Sequence, residues 1–263
     1  MTEFTVSLKS TRFIGAGVYP QADGESSATE RQERLPHFVQ AKRNSLSSIL
    51  IGAGGIGSEV GVSEVRKGLG HLSIFDPDIV ELSNLNRQRF FREDLYKNKA
   101  ERLGKNLARE ATSRCLITAY PMRFQEAIEA GLNVDADITI CGVDNNEARV
   151  AAARYFLETI PVIFIAVSED ADHGYVFVQE PGKACYGCLF PDAVDDTRQY
   201  PCSPAIIDIL KTVAGIATYA VDTLIMNRIR NWNYKEIFLS GMVPERNVFI
   251  RKREKCPICA DRR

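Results

Sequence analysis

A short polar segment holds the residue types most suited to chemistry. It follows the apolar run 71–75 and contains Asp76, Asp78, Asn84, Arg87 and Gln88. An acidic residue at the end of a strand suits a ribose hydroxyl, and an arginine fork neutralises phosphate charge. The segment therefore indicates a binding site for a nucleotide with charged phosphates.

A glycine-rich turn precedes this segment and could cradle a phosphate. Its glycines are Gly52, Gly54, Gly55 and Gly57, between an apolar run and an expected helix. Glycine lets the backbone approach a phosphate closely, and the helix N-terminus offers free N–H groups to it. The motif alone suits NAD as well as ATP, so it would by itself suggest a dehydrogenase.

Two later features favour a triphosphate over a dinucleotide. Lys99 adds a cation beyond Arg87, and Asp144, followed by Asn145, ends the apolar run 136–141. A carboxylate repels a triphosphate unless a divalent cation lies between them, and Mg²⁺ accepts such mixed oxygen ligands. The alternative is that Arg87 and Lys99 are surface charges and that Asp144 caps the next helix.

The chain has no Gly-x-x-x-x-Gly-Lys-Ser/Thr motif, which excludes a P-loop kinase or ATPase. We therefore expect attack at the α-phosphate with loss of pyrophosphate.

The pattern of apolar runs predicts the elements that position these residues. Strands over 48–51, 71–75, 115–120, 136–141 and 161–167 alternate with helices over 57–69, 98–111, 122–130 and 147–157. Such alternation predicts an α/β fold with a Rossmann-like, mostly parallel sheet and helices on both faces. The later strands, over 174–179, 236–240 and 247–251, are expected to be antiparallel, with a long helix over 203–230. Residues 1–30 are predicted to form a flexible leader, and residues 31–263 a single domain.

Composition restricts the partners. The chain has 263 residues and a formal net charge of −1, so no global field attracts nucleic acid or an anionic membrane. The N-terminus lacks an apolar signal core, and the apolar stretch 212–221 is shorter than the roughly 20 residues that a bilayer requires. We expect a cytoplasmic protein that binds neither nucleic acid nor a membrane.

Four of the seven cysteines form two Cys-x-x-Cys pairs, which are Cys185 with Cys188 and Cys256 with Cys259. Without an export signal, such pairs predict a structural zinc site rather than disulfides. Four thiolates leave no open position on the metal, so zinc would tie the polar C-terminal tail to the domain. Cys115 and Cys141 lie in predicted strands and are expected to be core thiols.

Together these motifs closely resemble the ThiF/MoeB/HesA family, the adenylating core shared with ubiquitin-activating enzymes. The resemblance covers roughly residues 31–259 and includes Cys185-Tyr-Gly-Cys188-Leu-Phe-Pro. It implies an adenylyltransferase, in a minimal bacterial form, that uses ATP and Mg²⁺. Its implied substrate is the C-terminal glycine of a small ubiquitin-like or sulfur-carrier protein, which has a ubiquitin fold.

The resemblance also implies roles for individual residues. Gly55 would approach the phosphates and Asp76 the ribose, while Asp144 would bind Mg²⁺ near the α-phosphate. The triphosphate would be held by Asn84, Arg87 and Lys99, with Gln88 beside them. Arg31 would reach into the site of a second subunit as an arginine finger, which implies a homodimer.

Cys202 is a candidate acceptor of the activated protein, because relatives carry such a cysteine in the loop before the long helix. Two departures from the family pattern occur. Ser203-Pro204 replaces the usual Gly-Val-rich helix start after that cysteine, and Tyr96 replaces the usual glycine before the lysine segment.

Other functions are also compatible with the residues. An adenylating enzyme of this kind could act on a peptide or a tRNA-modification intermediate. An NAD-dependent oxidoreductase would leave several residues without a role, which are Arg87, Lys99, Asp144 and the two cysteine pairs. A non-catalytic partner subunit would not require an intact set of nucleotide-binding residues.

Overall fold

A nine-stranded sheet spans the part of the chain that the computed structural model describes, which is residues 8–16, 27–196 and 205–260. The strands are β1 (Thr11–Ala16), β2 (Ser47–Ile51), β3 (His71–Phe75), β4 (Arg114–Tyr120), β5 (Ile138–Cys141), β6 (Val162–Val167), β7 (His173–Gln179), β8 (Tyr234–Phe238) and β9 (Arg246–Val248). Their order across the sheet is β1-β4-β3-β2-β5-β6-β7-β8-β9.

Helices connect most of these strands. They are α1 (Glu30–Glu33), α2 (Gln40–Ser45), α3 (Gly55–Arg66), α4 (Lys99–Glu110), α5 (Phe124–Glu129), α6 (Asn146–Tyr155), α7 (Tyr186–Leu189) and α8 (Ile207–Ile225). Short 3₁₀ turns lie at Leu82–Asn84, Arg92–Asp94 and Pro191–Val194. Among the helices described, none is both long and apolar enough to cross a bilayer.

The centre of the sheet is parallel and its later part is antiparallel, which confirms the predicted fold class. The strands β4, β3, β2, β5 and β6 run parallel, whereas β7, β8 and β9 are added antiparallel. The chain moves from β2 outward to β3 and β4, then returns to place β5 on the other side of β2. This reversal opens a crevice at the carboxyl ends of β2 and β5, where such sheets bind ligands.

Side chains alternate between two apolar layers. On β2, Leu50 faces the layer built from α3, α4 and α8, whereas Ile49 and Ile51 face the layer built from α5, α6 and α7. Successive side chains of a strand point to opposite faces, so a strand buried on both faces is apolar throughout. Cys115 and Cys141 lie in these layers, and burial raises their thiol pKa to about 12 and about 11, so both are core residues as predicted.

The prediction of a flexible leader over residues 1–30 is wrong for residues 11–16. This segment forms β1, which pairs antiparallel with β4 from Thr11 opposite Ala119 to Ala16 opposite Arg114. Phe13 packs against the core, and a Cβ on Gly104 would lie 2.9 Å from its ring. The sequence of β1 mixes polar, apolar and glycine residues, and such a mixture is a weak signal for a strand. Sequence reasoning therefore missed β1.

Tyr96 occupies a left-handed backbone conformation, with φ of 63°, and 79% of it is exposed. Glycine adopts this region without penalty, whereas another residue loses roughly 1–2 kcal/mol. Tyr96 therefore adopts the left-handed conformation that glycine would favour, at the position where the family resemblance suggested glycine.

A buried ionic cluster joins α2, α3 and α8. Arg43 is 0% exposed and donates to Glu64 over 3.0 Å, while its other terminal nitrogen lies 3.4 Å from Asp222. Asp222 also pairs with Lys67 over 2.7 Å. Removing one member of such a pair leaves a buried charge without compensation, which costs more than the pair contributes.

Arg43→Met should lower the free energy of unfolding by about 3–5 kcal/mol, because Glu64 would stay buried and charged. Arg43→Met combined with Glu64→Leu should recover most of this loss. Arg34→Met is the matched control, since Arg34 forms an exposed pair with Glu30 and should cost no more than about 1 kcal/mol. Urea denaturation of the variants measures these differences, and a single-variant loss as small as that of the control would contradict the prediction.

Candidate functional site

A cleft of about 920 Å³ opens at the carboxyl ends of the central strands. It brings together residues that are far apart in the sequence. The predicted site residues that line it are Gly52, Gly54, Gly55, Asp76, Asp78, Arg87, Gln88, Lys99, Asp144 and Asn145. Two others, Gly57 and Asn84, have packing and turn-stabilising roles beside the cleft.

The glycine-rich turn links β2 to α3 at the floor of the cleft. Gly52 has a φ of +97°, and a Cβ there would lie 2.9 Å from the carbonyl oxygen of Gly142 at the end of β5. Gly57 has a packing role, because a Cβ on it would lie 2.0 Å from the Gly52 carbonyl oxygen. With α3 starting at Gly55, its N-terminal N–H groups and its dipole face the cleft and favour an anion.

Asp76 joins the glycine-rich turn to the segment that follows β3. One carboxylate oxygen accepts from the Ala53 N–H over 2.7 Å, and the other accepts from the Asp78 N–H over 2.9 Å. Burial raises the pKa of Asp76, while the nearby Lys99 and the two backbone donors act in the opposite direction. Each oxygen keeps a second lone pair, so the carboxylate can still accept a hydroxyl from the cleft.

Lys99 stands at the start of α4 with its ammonium 2.9 Å from the Asp78 carboxylate. Asn98 fixes it there: its side-chain amide donates to the carbonyls of Asp76 and Asp78, and its oxygen caps α4 at the Glu101 N–H. Sequence reasoning missed Asn98, although an Asn directly before a helix is a recognised N-cap signal.

Arg87 and Gln88 form the wall beside Lys99. The Arg87 guanidinium donates to the Ser83 carbonyl over 2.6 Å, which aims the side chain along the wall. Gln88 is 9% exposed, and its amide oxygen is buried without a hydrogen-bond partner among the described residues. Asn84 is buried behind the wall, where its oxygen accepts from the Glu81 N–H over 2.9 Å.

Asp144 lies exposed at the turn between β5 and α6. Asn145, rather than Asp144, caps α6, because its oxygen accepts from the Ala148 N–H over 2.9 Å. The helix-capping alternative for Asp144 is therefore wrong, and its carboxylate is available to a ligand. Arg149 supports the turn by donating to the Val143 carbonyl over 2.6 Å.

Several residues that line the cleft were missed by sequence reasoning. Arg123 and Gln125 follow β4 at one end, and Ser168, Glu169, His173 and Tyr175 lie around β6 and β7 at the other. They sit in ordinary strand ends and turns, so no local pattern distinguishes them. Only the strand order places them next to the glycine-rich turn.

Arg31 lies exposed on α1, away from its own cleft. The neighbouring Gln32 donates to the Lys67 carbonyl over 3.0 Å, which holds α1 at the C-terminal end of α3. The glycine-rich turn is at the opposite end of the 12-residue helix α3, about 18 Å away.

Cys202, the predicted acceptor cysteine, lies outside the described residues.

The four paired cysteines form one buried cluster. The sulfur of Cys185 lies 3.8 Å from that of Cys188 and 3.4 Å from that of Cys256, and Cys188 and Cys259 are 3.6 Å apart. A tetrahedral site with Zn–S bonds of about 2.3 Å places its sulfurs about 3.8 Å apart. Gly187 permits this approach, since a Cβ on it would lie 3.2 Å from the Cys256 sulfur. The cluster therefore fits zinc.

The arrangement suits the binding of a polyphosphate nucleotide. A helix N-terminus and two cations provide positive charge, a buried carboxylate stands where a ribose would follow, and a free carboxylate faces them from β5. An anionic ligand on this floor would need a divalent cation beside Asp144, because the two negative groups would otherwise repel each other.

Comparison with known proteins shows which family this chain resembles. The model of the ThiF family matches residues 29–258. The chain is 30% identical over 210 residues to "Ubiquitin-like modifier-activating enzyme 5" of Culex quinquefasciatus, which covers 72% of this chain and 52% of that protein. It is 27% identical over 248 residues to "Sulfur carrier protein adenylyltransferase" of Thermus thermophilus, covering 88% of this chain and 86% of that protein.

The chain thus spans about half the length of the ubiquitin-like modifier-activating enzymes that it matches. Among solved structures, E. coli MccB with ATP has a TM-score of 0.73 at 19% identity, covering 90% of this chain and 74% of MccB. At that identity the likeness shows the fold alone.

The family model covers the glycine-rich turn, the polar segment after β3, Asp144 and three of the four clustered cysteines within one continuous match. The relative from Thermus thermophilus is named as an adenylyltransferase, and the positive charges that line the cleft of this chain suit the binding of a nucleotide. The chain belongs to the ThiF family.

Proposed function

We propose that this protein adenylates the C-terminal glycine of a small ubiquitin-like or sulfur-carrier protein. The observation that carries the proposal is Asp144, a carboxylate free of helix capping that faces a phosphate cradle and Lys99 across one cleft. A named relative that is matched over most of its own length is a sulfur carrier protein adenylyltransferase. We infer that the same class of substrate enters this cleft.

The chemistry follows from the charges. A carboxylate oxygen of the carrier terminus attacks the α-phosphorus of ATP, a P–O bond forms, and the bond to the β-phosphate breaks to release pyrophosphate. The attacking group is already ionised at neutral pH, so no strong general base is needed. Bound Mg²⁺, held by Asp144, would neutralise the phosphates.

The residues around the cleft supply binding and orientation. Arg87 and Lys99 would attract the triphosphate, and the ion pair of Lys99 with Asp78 keeps the lysine in place before the nucleotide binds. Asp76 would accept from the ribose. Fixed donors stabilise developing charge without reorganising during the reaction, and holding two reactants in line supplies much of the remaining acceleration.

A cysteine acceptor would act after adenylation. We propose Cys202 for this role, since it precedes α8 in the sequence and the described chain resumes at Ala205, which lines the cleft. Transfer would form a thioester and release AMP.

Asp144→Ala should reduce carrier-dependent ATP–pyrophosphate exchange by at least about a hundredfold, because it removes the carboxylate proposed to hold Mg²⁺. Glu147→Gln is the matched control: it also removes a negative charge from the cleft lining, and exchange should be retained. The assay uses ubiquitin-fold proteins that end in Gly-Gly, with truncated forms lacking these residues. Exchange that survives Asp144→Ala, or that accepts short peptides equally well, would contradict the proposal.

We further propose a homodimer in which Arg31 completes the neighbouring site, since Gln32 anchors its helix at the far end of α3. Arg31→Ala and Asp144→Ala should each be inactive alone. A mixture refolded together should recover about a quarter of the wild-type exchange rate, because half of the dimers are mixed and each has one complete site. No recovery in mixed dimers verified by affinity tags would show that Arg31 does not act in trans.

We propose that the cysteine cluster binds one structural zinc ion. Cys256→Ser should lose the zinc and lower the melting temperature, because the segment after β9 would no longer be tied to α7. Cys115→Ala is the control: it also removes a buried thiol but should retain one zinc per chain. Elemental analysis after gel filtration measures the metal, and zinc retained by Cys256→Ser would refute the assignment.

A further inference from the structure

Residues 251–255, here called the basic strip, lie between β9 and the third clustered cysteine. They comprise four cations and one carboxylate, which are Arg251, Lys252, Arg253, Glu254 and Lys255. We propose that the basic strip is the docking surface for an acidic protein partner whose C-terminus enters the cleft. The inference rests on the proposed function and identifies the chemistry by which the substrate protein is recruited.

The basic strip gathers four cations within five consecutive residues and includes a single carboxylate. All five residues of the strip are exposed, and none of its four cations forms an ion pair with another described residue. Nearby cations behave differently: Lys235 pairs with Glu245, and Arg246 pairs with Glu236. In a chain with a net charge of −1, this local excess of positive charge marks a surface suited to an anion.

Hydrogen bonds hold the backbone of the basic strip directly before its first residue and at its middle residue. Before the strip, Asn233 accepts from the Ile250 N–H over 2.6 Å and donates to the Ile250 carbonyl over 2.9 Å. Within the strip, the Arg253 N–H donates to the Cys188 sulfur over 3.4 Å. The four charges are therefore presented by a positioned segment, which lowers the entropy lost when a partner binds.

The basic strip is separated from the cleft by a single helical turn. Cys188 belongs to α7, and the next residues, Leu189 and Phe190, line the cleft. A protein with its terminal residues in the cleft would thus place its folded surface against α7 and the strip. Phe249, 59% exposed directly before Ile250, adds an apolar contact of the kind that is enriched at protein interfaces.

An acidic protein surface fits the strip better than nucleic acid. Affinity for a phosphate backbone rises with the number of phosphates that a protein neutralises, whereas the strip provides only four cations and the chain as a whole is slightly acidic. Complementary charges of this number raise association rates and add specificity between proteins. The expected signature is an affinity that depends strongly on salt, because the groups are exposed.

The test measures fluorescence anisotropy of a labelled peptide of consecutive glutamates ending in Gly-Gly, with a glutamine peptide as reference. The strip variant carries Arg251→Gln, Lys252→Gln, Arg253→Gln and Lys255→Gln. The control variant carries Arg12→Gln, Lys105→Gln, Arg109→Gln and Arg114→Gln, which removes the same charge from exposed residues at the opposite side of the sheet. Zinc content and circular dichroism establish that both variants are folded.

The wild-type protein should bind the glutamate peptide about tenfold or more tightly than the glutamine peptide, and this preference should vanish at about 1 M salt. The strip variant should lose the preference, and the control variant should keep it. Equal losses in both variants, or an unchanged strip variant, would overturn the docking surface. A single-stranded RNA oligonucleotide that binds more tightly through the same four cations would assign the strip to nucleic acid instead.

The peptide assay requires neither ATP nor catalysis. A protein that binds the glutamate peptide through the strip but shows no pyrophosphate exchange would refute the proposed function alone. Exchange with a Gly-Gly protein that is equally efficient in the strip variant at low salt would refute the docking surface alone.

Discussion

The candidate site depends on the two hydrogen bonds that the Asp76 carboxylate accepts. One holds the turn between β2 and α3 through the Ala53 N–H, and the other holds the start of the segment after β3 through the Asp78 N–H. These turns present the helix N-terminus and the Lys99–Asp78 pair to the same cleft. Burial raises the pKa of the Asp76 carboxyl, and the nearby Lys99 and the two backbone donors offset part of this desolvation.

Around Asp76, most charged groups of the cleft have a defined partner in the protein. Lys99 is paired with Asp78, and Asp76 is satisfied by backbone donors, whereas Asp144 is left exposed because Asn145 performs the capping. The cleft thus contains fixed positive groups on one side and an available carboxylate on the other. A metal-nucleotide complex would satisfy both sides, which is why the arrangement suits ATP with Mg²⁺ better than a dinucleotide.

The cysteine cluster extends this organisation to the end of the chain. Through Cys188 it fixes α7, whose following residues line the cleft, and through Cys256 and Cys259 it fixes the segment that carries the basic strip. A short polar segment after β9 buries too little apolar surface to hold itself in place. Metal ligation would therefore position both the wall of the cleft and the surface beside it.

Much of this protein was readable from its sequence. Alternating apolar runs predicted the parallel sheet, because a strand buried on both faces must be apolar throughout. The glycine spacing, Asp76, Lys99, Asp144 and the cysteine pairs each had a recognisable local signal. Three of the four glycines and these charged residues line the cleft, and the cysteines form one cluster. In contrast, β1 was missed, since an edge strand needs few apolar residues. The tertiary structure decided that Asn145 rather than Asp144 caps α6, that Asn84 and Gly57 serve packing, and that residues near His173 share the cleft. These outcomes depend on strand order, on close packing, and on which side-chain oxygen lies nearest to a free backbone N–H, and none of these is encoded in the local spacing of residues.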